Sequence, residues 1–373
     1  MRVILFFTYG ISLFDWKTSG LLEREVYFYK YLNDKYKVKF TFITFGKIDD
    51  RTILNYPFID IVPVYEYLKY DKNKYMRFLR SFLIPIKLKK EIVDGDVLKT
   101  NQLFGSWIAI LSKLKYKRPL IVRTGYDLYS FSKMNRKGYF KQSFYYLLTR
   151  ISLKYSDIYL VTSKSDKNKL KKLSLKNHYK VKIRPNWMKI QEGNDFNKRY
   201  KNKVISVGRL EEQKNFFELI DGLKNTNVEI DIYGEGSQKN EIIKYAEKQK
   251  VHLIIHPPVS NDILIKKIQN YKIFISSSKF EGNPKSILEA MAAGCVVIAK
   301  KSRNISELIQ NLENGLIYEE PKNIQNLLIR YLNNEDDWSN ISINASRYIK
   351  NFNGLDQIAE NEISDYEDLN ISN

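Results

Sequence analysis

Short apolar runs alternate with segments of helical periodicity along almost the whole chain, and this restricts the fold more than any other feature. Strands that follow one another only after a helix run parallel, and parallel sheets carry helices on both faces. In the first half the runs fall near 2–8, 38–44, 96–101, 119–124, 157–162 and 179–184. Helical patterns lie between them, near 20–33, 76–93, 104–115, 138–155 and 164–173. The alternation lapses once, in the polar stretch after Arg184-Pro185-Asn186-Trp187-Met188. It resumes at Lys203-Val204-Ile205-Ser206-Val207-Gly208, with further runs near 228–233, 251–255, 272–276 and 295–299. The expectation is an α/β chain of two Rossmann-like, doubly wound domains, 1–188 and 203–350, joined by a linker at 189–202. A helical tail over 351–373 is expected to pack back toward the N-terminal domain, with its acidic last residues frayed. In such folds ligands bind outside the carboxyl ends of the strands, here in an expected cleft between the two halves.

At 373 residues the chain is long enough for each half to bury its own core. The lone Cys295, inside the apolar run Cys295-Val296-Val297-Ile298-Ala299, reads as a core thiol. It excludes an intrachain disulfide and suits a reducing, cytoplasmic setting. No apolar run reaches the roughly 18–20 residues that span a bilayer. Val3-Ile4-Leu5-Phe6-Phe7 is too short for a signal-peptide core and reads as the first strand.

The net charge is +20, and its distribution is uneven. Residues 1–188 hold 38 basic against 15 acidic side chains, and residues 189–373 hold 24 against 27. Such asymmetry points to a polyanion or an anionic membrane surface facing the first half. A generally basic, AT-rich coding background is the alternative. Basic, aromatic and aliphatic residues interleave from Lys74 to Lys90, and again through Lys133, Arg136, Lys137, Tyr139, Phe140 and Lys141. Two readings stay open: a bilayer interface, or sheet-covering helices with a solvated basic face. No nucleic-acid-binding module is recognisable, so no nucleic acid partner is expected.

The densest cluster of chemistry is Phe280-Glu281-Gly282-Asn283-Pro284-Lys285-Ser286-Ile287-Leu288-Glu289, running on to Gly294. Asn283 suits an N-cap, Pro284 the first helical position and Gly294 the C-terminal cap. The helix is apolar on nearly every side, so Glu289 needs a partner for its buried carboxylate. The free N–H groups of the helix start form a seat for a phosphate. With Glu281 and Glu289 beside that seat, the site suits a ligand bearing hydroxyls and phosphates, such as a nucleotide sugar. Gly208-Arg209-Leu210-Glu211-Glu212-Gln213-Lys214 leads from a strand into a helix. Arg209 and Lys214 there either hold an anion or are solvated cations balanced by Glu211 and Glu212. Gly234-Glu235-Gly236 is either a close approach to a ligand or a plain turn. Thr18-Ser19-Gly20 is either a cleft-edge loop offering backbone N–H groups or an ordinary connection. Arg123, Tyr126 and Asp127 end a strand where they reach a donor or acceptor, with a turn-forming role open for Asp127. Asp94-Gly95-Asp96 reads as a turn, and the three histidines lack ligand spacing, so no metal is expected.

Taken together these segments resemble the retaining GT-B glycosyltransferases of family four, the glycosyl transferases group one. The resemblance rests on the Gly20 loop, Pro185-Asn186, Val207-Gly208-Arg209 with Lys214, Tyr233-Gly234-Glu235-Gly236, Ser276 through Glu281 and Glu289 to Gly294, and Asn314-Gly315-Leu316-Ile317. It implies the GT-B architecture and transfer of a hexosyl group from a nucleotide sugar, with UDP the foremost carrier. Arg209 and Lys214 would hold the donor diphosphate, joined by backbone around Asn283, Lys285, Ser286 and Ile287. Glu289 would bind the ribose, Glu281 the sugar, and Gly20, Gly208, Gly234 and Gly236 would admit close backbone. No cofactor or metal is implied, because the leaving phosphate oxygen takes the acceptor proton. Two departures stand out. Thr124-Gly125-Tyr126-Asp127 lacks the histidine many relatives carry, and His256-Pro257-Pro258 replaces a glycine at the base-binding turn. The expected acceptor is a lipid-linked or cell-envelope glycan at the inner face of the cell membrane. A soluble synthase acting on a small acceptor and a non-enzymatic polyanion-binding module are the alternatives.

Overall fold

The computed structural model of the protein describes all residues except 126–127, 135–137, 174–179, 191–194, 334–337 and 372–373. The chain forms two compact units: Met1–Pro185 together with the end of the chain from Ala359, and Asn186–Ile358. The strand Tyr200–Val207 begins inside the stretch expected to be linker.

The first unit holds a parallel sheet of β1 (Arg2–Phe6), β2 (Lys39–Thr44), β3 (Ile59–Pro63), β4 (Val97–Thr100), β5 (Leu120–Arg123), β6 (Ile158–Val161) and β7 (Val181–Ile183). Their spatial order is β3-β2-β1-β4-β5-β6-β7, so the sheet reverses direction of growth between β1 and β4. Val3, Ile4 and Leu5 are fully buried and β1 lies between β2 and β4, which is what a continuous apolar run at a sheet centre requires. The second unit holds β8 (Tyr200–Val207), β9 (Glu229–Tyr233), β10 (Leu253–His256), β11 (Tyr271–Ser276), β12 (Val296–Lys300) and β13 (Leu316–Tyr318). Their order is β10-β9-β8-β11-β12-β13, with the reversal between β8 and β11.

Several elements differ from the sequence expectation. β3 and β13 are additional, and both are edge strands. β3 ends in Pro63, which an edge accommodates because one side of its backbone needs no partner. The helix expected over 76–93 is three: Lys74–Ser81, Ile84–Lys87 and Lys89–Val93. Pro85 at the start of the second cannot donate to Ser81 and crowds its carbonyl, so the first helix stops there. The loop after β1 is followed by a helix, Leu13–Thr18, capped by Ser12 in a capping box with Asp15. Gly20 therefore joins two helices, in the left-handed region at φ +69°, and Ser19 bonds back to the Asp15 carbonyl at 2.6 Å.

The acidic tail is ordered into the helix Leu355–Ile371. Glu362 and Asp365 are buried, contrary to the expected fraying. Glu362 pairs with Lys99 in β4 and accepts from Tyr366 Oη. Asp365 receives Arg184 Nε and Nη2, each at 2.8 Å, and Lys182 Nζ at 2.8 Å. The tail from 359 adds five acidic and no basic side chains to a segment with 38 basic and 15 acidic, so the first unit carries +18 rather than +23.

Candidate functional site

The sheet reversal between β8 and β11 sends their following loops in different directions, which leaves room for a ligand at the strand ends. The two loops are nevertheless tied together close to the strands. Ser277 Oγ donates to the Lys214 carbonyl at 2.8 Å, the Lys279 N–H to the Gln213 carbonyl at 2.9 Å, and Gln213 Nε2 to the Phe280 carbonyl at 3.0 Å. This frame brings Lys214 Nζ to 2.5 Å from Glu281 Oε1, with the two side chains 17% and 11% exposed. The balance once open for Lys214 is thus settled differently from the Glu211 and Glu212 alternative. Glu212 pairs with Lys279 at 2.8 Å. Glu211 accepts the Ser237 N–H at 2.9 Å and its hydroxyl at 2.8 Å. Those bonds, with Arg209 nearby, hold the Glu211 carboxyl below its usual range. The exposed Arg209 guanidinium forms no hydrogen bond or ion pair with another described residue.

The glycines after β8 and β9 serve backbone-on-backbone contact. A Cβ on Gly234 would lie 1.9 Å from the Gly208 carbonyl oxygen, and one on Gly236 2.5 Å from that of Leu210. A Cβ on Gly208 would crowd the Lys214 stem at 3.0 Å. These three glycines therefore let two loops stack and set where Arg209 and Lys214 emerge.

The helix after Glu281 runs Lys285–Ala292, with Pro284 as its N-cap and no side chain capping it. Asn283, expected as the cap, lies one residue too early. Its Oδ1 accepts the Asn186 N–H and its carbonyl accepts Asn186 Nδ2, both at 2.9 Å. Lys285 and Ser286 are half-buried at the helix start. Ile287 is fully buried and its N–H bonds to the Pro284 carbonyl at 3.1 Å, so its side chain serves the core. Gly294 closes the helix at φ +72°.

Glu289 is buried, at 6% exposure, and accepts from Asn261 Nδ2 at 2.9 Å. Asn261 starts the helix Asn261–Ile268 and was not singled out in the sequence, because an asparagine at a helix start carries no sign of a partner 28 residues away. Gln213 and Asn186 lie in segments named from the sequence, but their role in holding the loops, and that of Asn304, was not legible there. Asn304 Nδ2 bonds to the Gly282 carbonyl at 2.9 Å, across 22 residues. The second unit thus gathers Gly208, Arg209, Lys214, Gly234, Gly236, Glu281, Asn283, Lys285, Ser286, Ile287 and Glu289. Gly20 and Arg123 belong to the first unit. Arg123 ends β5, where burial lowers its pKa against the opposing pull of Tyr29, Glu25 and Tyr366. Tyr126 and Asp127 lie outside the described residues.

Residues 189–348 match the family model of glycosyl transferases group 1, so the second unit carries a domain of that kind. An amylovoran biosynthesis glycosyltransferase, AmsD of Erwinia amylovora, is 30% identical over 229 residues, 58% of this chain and 61% of that protein. An uncharacterized glycosyltransferase of Methanocaldococcus jannaschii is 26% identical over 233 residues, covering 49% of this chain. The chain spans 57% and 61% of the lengths of these two relatives. Among solved structures, HepE of Anabaena in complex with UDP matches with a TM-score of 0.74 at 13% identity, over 99% of this chain and all of that one. The fold, two Rossmann-like parallel-sheet domains, is that of the GT-B glycosyltransferases.

Proposed function

We propose that the chain is a retaining glycosyltransferase. It moves a sugar from a nucleotide-diphosphate donor, UDP foremost, to a lipid-linked or cell-envelope glycan at the cytosolic membrane face, where it binds peripherally. The observation that carries this reading is the Lys214–Glu281 pair beside an uncapped helix start, inside the segment that matches glycosyl transferases group 1. Arg209 and Lys214 hold the diphosphate, together with the helix-start backbone at Lys285 and Ser286. Glu281 takes the donor sugar and Glu289 the ribose. As the glycosidic bond breaks, charge grows on the diphosphate, and fixed cations stabilise it more than they stabilise the intact donor. The leaving oxygen takes the acceptor proton, so neither a metal nor a separate base is required. The AmsD name and the UDP bound to HepE support a polysaccharide acceptor and a UDP carrier.

The test is a thermal-shift panel of UDP, GDP, ADP and CMP and their sugar conjugates, followed by transfer assays with and without EDTA. A ligand at about 100 times its dissociation constant stabilises by ~2.7 kcal/mol. The expected result is a shift with one diphosphate that is lost in Arg209→Ala, and transfer indifferent to EDTA. Full transfer by Arg209→Ala, or no shift with any nucleotide, would overturn the assignment.

A further inference from the structure

The backbone next to Lys214 takes an unusual turn. Asn215 lies in the left-handed region, at φ +51° and ψ 49°. A Cβ is strained there, and asparagine tolerates the strain better than most residues because its short polar side chain bonds locally. Asn215 precedes the helix Phe216–Leu223, yet its side chain does not cap that helix. Its Nδ2 donates instead to Glu218 Oε2 at 2.6 Å. In the usual capping arrangement a glutamate at this spacing reaches back to the backbone N–H of the cap residue. Here the carboxylate takes the amide of the cap side chain, and so restrains the strained residue itself.

Glu218 is held in turn from the sheet. Its Oε1 accepts Lys300 Nζ at 2.5 Å, with the Lys300 and Glu218 side chains 26% and 14% exposed. Lys300 is the last residue of β12 and lies 82 residues from Glu218 in the chain. Its ammonium has a fixed seat: it also donates to the Glu319 carbonyl at 3.1 Å and lies 5.7 Å from the centre of the Tyr318 ring. Charge-assisted bonds are stronger than neutral ones, so the position of Glu218 follows that of the β12 end.

Lys214 has little freedom to absorb a change at Asn215. Its carbonyl accepts from Ser277 Oγ at 2.8 Å, and its stem passes so close to Gly208 that an added Cβ there would lie 3.0 Å from Lys214 Cε. On the other side, Phe216 is buried in the core at 2% exposure and anchors the helix. With the helix fixed, rotation about φ of Asn215 swings the residue before it, and the Lys214 ammonium leaves Glu281. We propose that Lys300 and Glu218 are positioning residues, which keep Asn215 left-handed and thereby aim Lys214 at Glu281 and at a diphosphate bound beside it. The diphosphate part rests on the glycosyltransferase reading; the aim of Lys214 stands without it.

The test joins a double-variant cycle, read by titration calorimetry with UDP, to crystal structures of the wild type and Glu218→Ala. Lys300→Met keeps the aliphatic stem and removes the ammonium. It is expected to weaken UDP binding about tenfold, and Lys214→Met to weaken it further, since misplacing a group costs less than deleting it. In a Lys214→Met background Lys300→Met should change UDP affinity by less than about twofold, because an effect that runs through Lys214 is then already lost. A residue that serves stability alone would lower the melting temperature and leave UDP affinity untouched. UDP affinity of Lys300→Met within about twofold of wild type, or losses that multiply in the double variant, overturns the proposal. The crystal structures decide without a ligand: Glu218→Ala should lose both the positive φ at residue 215 and the Lys214–Glu281 contact, and retention of both overturns the proposal. A wild type that does not bind UDP, with the turn altered in Glu218→Ala, overturns the UDP donor reading and leaves the positioning role in place.

Discussion

Lys99–Glu362 in the first unit and Lys214–Glu281 in the second are both lysine–glutamate pairs, and their surroundings make them different objects. The Lys99 and Glu362 side chains are 3% and 2% exposed, sealed between β4 and the returning C-terminal helix. Lys214 and Glu281 are 17% and 11% exposed, at the ends of two loops beside an uncapped helix. In the sealed site the Tyr366 hydroxyl bonds to both groups but carries no charge, so losing one strands the other's charge in a medium that solvates charge poorly. At a loop edge the ammonium can trade a carboxylate for a phosphate, because solvent and ligand share the approach. Two pairs of the same residue types thus serve stability in one unit and, on our reading, chemistry in the other.

Glu362→Ala tests the first side of that contrast and has the largest expected effect. Urea denaturation should show a loss of about 3–5 kcal/mol, and the double variant Lys99→Met/Glu362→Leu should regain most of it by replacing the pair with apolar packing. A loss below about 1 kcal/mol would erase the distinction between the pairs. Next is Glu281→Gln, for which transfer should fall about 100-fold while stability changes by less than about 1 kcal/mol. Equal losses in both assays would make this pair structural too. Gly234→Ala should cost about 1–3 kcal/mol, since its Cβ would sit 1.9 Å from the Gly208 carbonyl oxygen and must push apart the loops that place Lys214.

The smallest effect extends the comparison to a buried carboxylate that lies within the second sheet. Asp231 accepts from Tyr271 Oη at 2.5 Å, from His256 Nε2 at 2.6 Å and from Lys203 Nζ at 3.0 Å. Burial raises its pKa, and these three partners outweigh that and lower it. A depressed carboxylate pKa adds stability above the unfolded value of about 3.9, and that stability is lost as pH falls through the folded value. The gap in melting temperature between wild type and Asp231→Asn should therefore narrow below about pH 4. A gap constant with pH would show that Asp231 acts through packing alone.

The central strands were legible because their apolar runs are continuous, as Val3 to Phe6 and Val204 to Ile205 illustrate. So were the segments from Gly208 to Lys214 and from Glu281 to Glu289, where the relevant residues are close neighbours in the chain. Two of the four edge strands, β3 and β13, were not, although the other two, β7 and β10, correspond to the runs near 179–184 and 251–255. Ile59–Pro63 and Leu316–Tyr318 are short, and nothing in either run distinguishes it from a loop until a neighbouring strand pairs with it. Asn283 was legible as a helix-start residue but not as the clip that holds Asn186, 97 residues away.

Period and capping depend on residues within a turn or two of one another, so order along the chain already determines where helices and central strands form. Partnership does not follow from that order. Lys99 sits in an apolar strand, the nearby Asp96 accepts from the Arg2 N–H instead, and the partner of Lys99 arrives from 263 residues away on the tail helix. Asn261 reaches Glu289 across 28 residues and Lys214 reaches Glu281 across 67. Only the folded sheets bring those groups within the few ångströms over which hydrogen bonds and buried charges act, and so only the tertiary structure separates the sealed pair from the accessible one.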